Sequence, residues 1–125
     1  MAHHSVPYVA TVSVAFPRDL SLKVKKAAAI RGFRYIHVNV PCPTGWGFPP
    51  DRTAEIARLA VESGVWPLYE IDRGQLALTH RPKTLKPVSA YLAAQERFRT
   101  VKDAQAMEFG ADAVALYDKL SRGEW

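Results

Sequence analysis

Two short β-rich runs, with a proline-led helical pattern between them, restrict this chain more than any other feature. The first run, YVATVSVAF at residues 8–16, has the β-branched composition of a buried strand. Pro17 follows directly, and its fixed φ and missing N–H suit the first turn of a helix. Leu20, Val24, Ala27 and Ala28 then recur as one apolar stripe, with Arg18, Lys23, Lys25 and Lys26 largely off it, and Gly32 is the natural stop. The second run, RYIHVNV at 34–40, alternates: Ile36, Val38 and Val40 point one way and Tyr35, His37 and Asn39 the other. Strand, helix and strand in about 30 residues predict a right-handed βαβ crossover with parallel strands, hence an α/β fold.

The crossover is followed by the loop PCPTGWGFPP, residues 41–50, which holds the only cysteine, Cys42. Its place just past the carboxyl end of the second strand is the edge of open α/β sheets where ligands bind. Asp51 can cap a helix running to about Ser63, with Ile56, Leu59 and Ala60 buried and Gly64 ending it. Residues 66–71 and 75–80 read as a hairpin across a three-residue turn of Asp72, Arg73 and Gly74. After the basic linker RPKTLKP, a short helix starts at Pro87. A longer one covers about 100–122, with Val101, Ala104, Met107, Ala111 and Val114 inward and a break near Gly110.

At 125 residues, with 48% hydrophobic and 23% charged residues, the chain has the length and composition of one globular domain. The net charge of +5 comes from 17 basic residues in loose clusters, without the interleaved aromatics of a single-strand nucleic acid platform, so no nucleic acid partner is expected. No apolar run approaches the ~20 residues of a membrane span, and the first residues lack a secretory signal pattern. No membrane association and a cytoplasmic setting are therefore expected. A single cysteine forms no internal disulfide and agrees with that compartment.

Three roles are open to Cys42 on the residues alone: a small buried hydrophobe, a reactive thiolate, or a ligand to an iron-sulfur cluster. Thiolates of the second kind are activated by a helix starting directly after them, whereas Gly45, Gly47, Pro49 and Pro50 postpone any helix here to about Asp51. The third role suits a rigid glycine-bearing loop, with Thr44, Gly45 and Trp46 shaping the surroundings, but a cubane cluster takes four thiolates and the chain has one. Other candidates read as structural. His3 and His4 lack a spaced partner for a metal, His37 alternates within its strand, Thr11 and Ser13 are ordinary strand residues, and Glu70 and Asp72 are too generic for an acid/base pair.

YVATVSVAFPRDL, KVKKAAAIRGFRYIHVNVPCPTGW, TAEIARLAVESGVWPLYEI and KPVSAYLAAQERF together resemble consecutive segments of one family. That family is the thiamine-diphosphate-binding β subunit of pyruvate:ferredoxin oxidoreductase and related 2-oxoacid:acceptor oxidoreductases, in its C-terminal part. The resemblance covers about residues 3–100, with PCPTGW and GVWPLYEI its most specific elements, and residues 101–125 form a helical tail outside it. It implies a partial thiamine-diphosphate-binding fold, and it makes Cys42 one ligand of a four-iron, four-sulfur cluster. The family's complete subunit also carries thiamine diphosphate with magnesium. Its enzymes decarboxylate a 2-oxoacid such as pyruvate, pass electrons through clusters to ferredoxin, and form an acyl-CoA.

The Gly-Asp-Gly motif with its downstream Asn, and the three other cluster cysteines, are missing from this sequence. The expectation is therefore a partial subunit, inactive and free of cofactor by itself. Its partners would be the remaining part of the β subunit, other oxidoreductase subunits, and ferredoxin or a similar acidic carrier met by Arg81, Lys83 and Lys86. The alternative expectation is a stand-alone α/β interaction or regulatory module without catalysis. A monothiol redox protein is a third.

Overall fold

The computed structural model describes residues 6–125, so His3 and His4 lie outside the described residues. Four strands, β1 (Tyr8–Ser13), β2 (Arg34–Asn39), β3 (Tyr69–Asp72) and β4 (Gln75–Leu78), form one sheet in the order β2-β1-β3-β4. β1 and β2 are parallel in continuous register from Tyr8↔Arg34 to Ser13↔Asn39. β3 runs antiparallel to β1, and β4 antiparallel to β3. The helices are α1 (Pro17–Ala29), the single turn α2 (Pro43–Trp46), α3 (Thr53–Glu62), α4 (Val88–Ala93) and α5 (Asp103–Ser121), with 3₁₀ turns at Pro50–Arg52 and Glu96–Phe98. The chain is thus α/β, with a βαβ unit, a hairpin and C-terminal helices.

β1 is buried at all six positions, as its composition requires of a central strand. α1 begins at Pro17 and links the parallel pair as the crossover, but its inward face is not the expected apolar stripe. Lys23 and Ala27 are buried, while Val24 and Leu22 are exposed. The correction has a polar cause. Lys23 Nζ donates to the Thr11 carbonyl and to Asp19 Oδ2, both at 2.8 Å, so the ammonium enters the interior with partners. Burial lowers its pKa, against the opposing pull of Asp19.

One turn further on, Lys26 ties α1 to β3. Its Nζ lies 2.8 Å from Glu70 Oε1 and 3.1 Å from Asp72 Oδ2, and Tyr8 donates its hydroxyl to Glu70 Oε2 at 2.6 Å. Glu70 and Asp72 are thus parts of a half-buried ion-pair network.

The hairpin turn is tighter than expected. Asp72 pairs with Gln75, so only Arg73 and Gly74 form the turn, with φ of 49° and 83°. Both central residues are left-handed, the geometry that matches strand twist in a two-residue hairpin.

A second core lies under the helices, where Phe48, Ile56, Ala60, Val88, Tyr91, Leu92 and Ala113 pack together. α5 joins it through Ala113 and runs unbroken through Gly110. Its buried positions are Ala113, Tyr117 and Leu120, while Met107 and Val114 of the expected stripe are exposed. Among the described residues no helix is long and apolar enough to cross a membrane.

Burial alone would raise the Glu70 pKa, but the hydrogen bonds from Lys26 and Tyr8 outweigh it and hold the carboxyl below its ordinary value. A carboxylate with a depressed folded-state pKa contributes stability above its unfolded pKa, and that contribution is lost as pH falls through the folded one. Glu70→Gln is therefore expected to lower stability at pH 7 by about 1–2 kcal/mol, as measured by urea denaturation. The gap from the parent chain should narrow as pH is lowered toward 3; a constant gap contradicts the role given to the network.

Candidate functional site

The loop after β2 is built by local capping and then fixed by distant residues. Pro41 is buried, and Cys42 is extended (φ −100°, ψ 108°) at the N-cap of α2. Its Sγ accepts the Gly45 N–H at 3.4 Å, and its carbonyl accepts the Trp46 N–H at 2.9 Å. Pro43 occupies the first helical position, where its missing N–H leaves nothing unpaired. A helical turn thus follows the cysteine directly, against the expectation that the glycines and prolines delay any helix to Asp51. It closes after four residues because Gly47 adopts φ 70° and returns its N–H to the Pro43 carbonyl at 2.9 Å.

The segment 95–98 clamps this turn from the other side. The Gly47 carbonyl accepts the Glu96 N–H at 3.1 Å, and a Cβ added at Gly47 would stand 2.4 Å from Glu96 Cβ. The Arg97 guanidinium stacks on the Trp46 ring at 3.7 Å and lies 4.5 Å from the Phe98 ring. Arg97 is itself held by Gln95 Oε1 at 3.0 Å and the Tyr91 hydroxyl at 3.1 Å. Phe48 closes the loop by entering the helical core. These contacts leave the Cys42 thiol exposed, which removes the buried-hydrophobe role. Beside the turn lies an open cleft of about 450 Å³ with Thr44, Gly45, Trp46, Arg97 and Arg99 in its walls.

The other sequence candidates do not join this site. Thr11 is buried, donating to the Pro67 carbonyl at 2.6 Å and accepting the Tyr69 N–H at 3.0 Å, so its hydroxyl splices β1 to the approach of β3. Ser13 Oγ accepts the Ala15 N–H at 3.4 Å. His37 stacks edge-on against Trp66 at 4.7 Å and borders a separate cavity of about 510 Å³ under α5, with Tyr35, Tyr69 and Lys119. In the basic linker Lys86 pairs with Glu62 at 2.7 Å, while Arg81 and Lys83 are exposed. Among the described residues, no three His, Cys, Asp or Glu side chains come together as a metal site.

Sequence reasoning missed the Arg97–Trp46 stack and the cap on Cys42. The cap had a signal, since Cys-Pro is an N-cap followed by the residue favoured at the first helical position. The stack had none, because its partners are far apart in the chain.

No family model matches the chain. Curated relatives do. Over 105 residues the chain is 54% identical to the pyruvate synthase subunit PorB of Methanothermobacter marburgensis, covering 84% of this chain and 36% of the relative. It is 52% identical over 103 residues to the PorB subunit of Methanocaldococcus jannaschii, covering 82% and 35%. It is 42% identical over 109 residues to the ketoisovalerate oxidoreductase subunit VorB of Pyrococcus horikoshii, covering 84% and 35%. The chain is a PorB/VorB homologue. These relatives are named as pyruvate synthase and ketoisovalerate oxidoreductase subunits, in line with the family its motifs resemble, and the chain spans about a third of the length of the relatives it matches.

Gly47→Ala places a side chain at a positive φ and against Glu96 Cβ, so it is expected to destabilise the chain by about 1–3 kcal/mol. Urea denaturation measures this. A midpoint equal to that of the parent would mean that the clamp between the loop and residues 95–98 is not closed in solution.

Proposed function

We propose that the chain is part of a β subunit of a 2-oxoacid:ferredoxin oxidoreductase, in which Cys42 supplies one ligand of a four-iron, four-sulfur cluster. The observation that carries this reading is the exposed thiol held at the carboxyl end of a parallel strand, in a chain 54% identical to a pyruvate synthase subunit. Residues up to about Thr100 form the family portion in this reading, and 101–125 are a helical tail.

The residues at the loop fit a single cluster ligand. Cys42 is exposed, so its thiolate is free to bond one iron. The Gly45 N–H already points at the sulfur, the kind of hydrogen bond that tunes a cluster-bound thiolate. Trp46 and Arg97 fix the turn, and Arg97 adds a positive charge nearby. When bound, the cluster carries single electrons. The remaining thiolates must come from outside these 125 residues, which hold one cysteine. Thiamine diphosphate and its magnesium do not fit the residues present, because the Gly-Asp-Gly motif is missing from the sequence. No step of the reaction is assigned to this chain; Cys42 would hold one iron of the cluster. By this reading the chain is inactive alone, works in the cytoplasm, and joins the rest of the β subunit and other subunits. The complete enzyme oxidises pyruvate or a similar 2-oxoacid and reduces ferredoxin.

The test is reconstitution with iron and sulfide of this chain co-expressed with the rest of a PorB subunit. Cys42→Ser is expected to lower cluster content or shift the reduction potential, read by iron analysis and electron paramagnetic resonance. Unchanged content and potential remove the ligand role.

Arg81 and Lys83 are proposed to steer the acidic carrier. The association rate should then fall as salt rises from low to physiological strength, measured by stopped flow. A flat rate removes the steering role.

A further inference from the structure

The two edges of the sheet are treated differently. β4 is a four-residue hairpin strand with α5 packed against it. β2 is a six-residue strand with nothing paired on its outer side among the described residues, and although Arg34 sets one charge at its start, no proline, lysine or bulge interrupts it. Natural edge strands are normally blunted by such devices, because a free row of N–H and C=O groups recruits another strand.

β2 is also open where its pairing says it should be closed. Parallel strands are normally covered on both faces. β1 meets that rule at every position, whereas only Asn39 of β2 is buried. Val38 and Val40 are 43% and 56% exposed, and Phe33 at the strand entrance is 60% exposed.

From these observations we propose that the free edge of β2, with Val38 and the following Val40, is a docking surface for the rest of the subunit. That portion adds a strand beside β2 and covers the two valines. The proposal rests on the reading of the chain as part of a longer subunit, and the relatives provide the material, since about two thirds of their length lies outside the match. A second copy of this chain is the competing occupant.

The experiment co-expresses this chain with the portion of the Methanothermobacter marburgensis PorB subunit outside the matched region, so that neither piece has to fold alone. Hydrogen exchange at residues 34–40 is compared in the lone chain and in the co-purified pair. Protection in the pair should rise at least about tenfold. Val40→Asp should leave the thermal midpoint of the lone chain unchanged, because Val40 is exposed there, and should abolish co-purification.

Failure to co-purify, unchanged exchange at 34–40 in the pair, or insensitivity of the pair to Val40→Asp overturns the proposal. So does protection of β2 in the lone chain that grows with concentration, which assigns the edge to a second copy. Cys42→Ser is expected to leave docking intact, so loss of the cluster reading and loss of the docking reading are separable.

Discussion

The parallel pairing of β1 with β2 is the constraint on which the rest of the structure depends. It forces a crossover, and α1 is that crossover. With β2 on one side and β3 on the other, β1 becomes a central strand and is buried throughout. α1 is then anchored by its lysines as well as by Ala27, which packs with Tyr8 and Ala10. Lys23 reaches a β1 carbonyl, and Lys26 bridges to two carboxylates of β3. A helix docked in this way has fixed rotation, because buried charges have few satisfactory positions. The same choice explains why Leu22 and Val24 are left outside.

The thiol is positioned by elements that are remote in sequence. β2 delivers the chain to Pro41, the α2 turn sets the direction of Sγ, and residues 95–98 hold the turn from below. Glycine at 47 is required twice, for its positive φ and for the approach of Glu96. The Trp46–Arg97 stack then joins the sheet edge to the helical layer. A thiol on such a loop is pre-positioned, which suits the ligand role proposed for it.

The crossover was legible because its signals are local: β-branched runs, Pro17, and Gly32 at the far end. The hairpin was legible too, but Arg73 in a left-handed conformation was not, since Gly74 alone carries the recognisable turn signal. α5 misled for a physical reason. Met107, Phe109, Val114 and Leu116 are apolar and exposed, so the apolar residues run all round the helix and no face stands out. The inward set of Ala113, Tyr117 and Leu120 is defined by what the helix meets, which the sequence does not state. Lys23 could have been read correctly, as it lies three residues after Leu20 and four before Ala27. The habit of placing lysine outside prevented it. At the candidate site, the place of the loop at the carboxyl end of β2 was readable, whereas the helical turn on Cys42 went against expectation and Arg97 required the fold.

The open strand and the single thiol are geometrically one matter. β2 ends at Asn39, and Cys42 follows three residues later. A strand added beside β2 would run about 4.8 Å away, the ordinary spacing within a sheet. Its end, or the loop leaving it, would then arrive next to the Cys42 turn. A polypeptide that satisfies the free edge is thereby delivered to the one place where further thiolates could meet Cys42 Sγ. On the proposed reading of Cys42 as a cluster ligand, edge pairing and completion of the ligand set would be two results of the same docking event, because the strand that presents the cysteine is also the strand that lacks a neighbour.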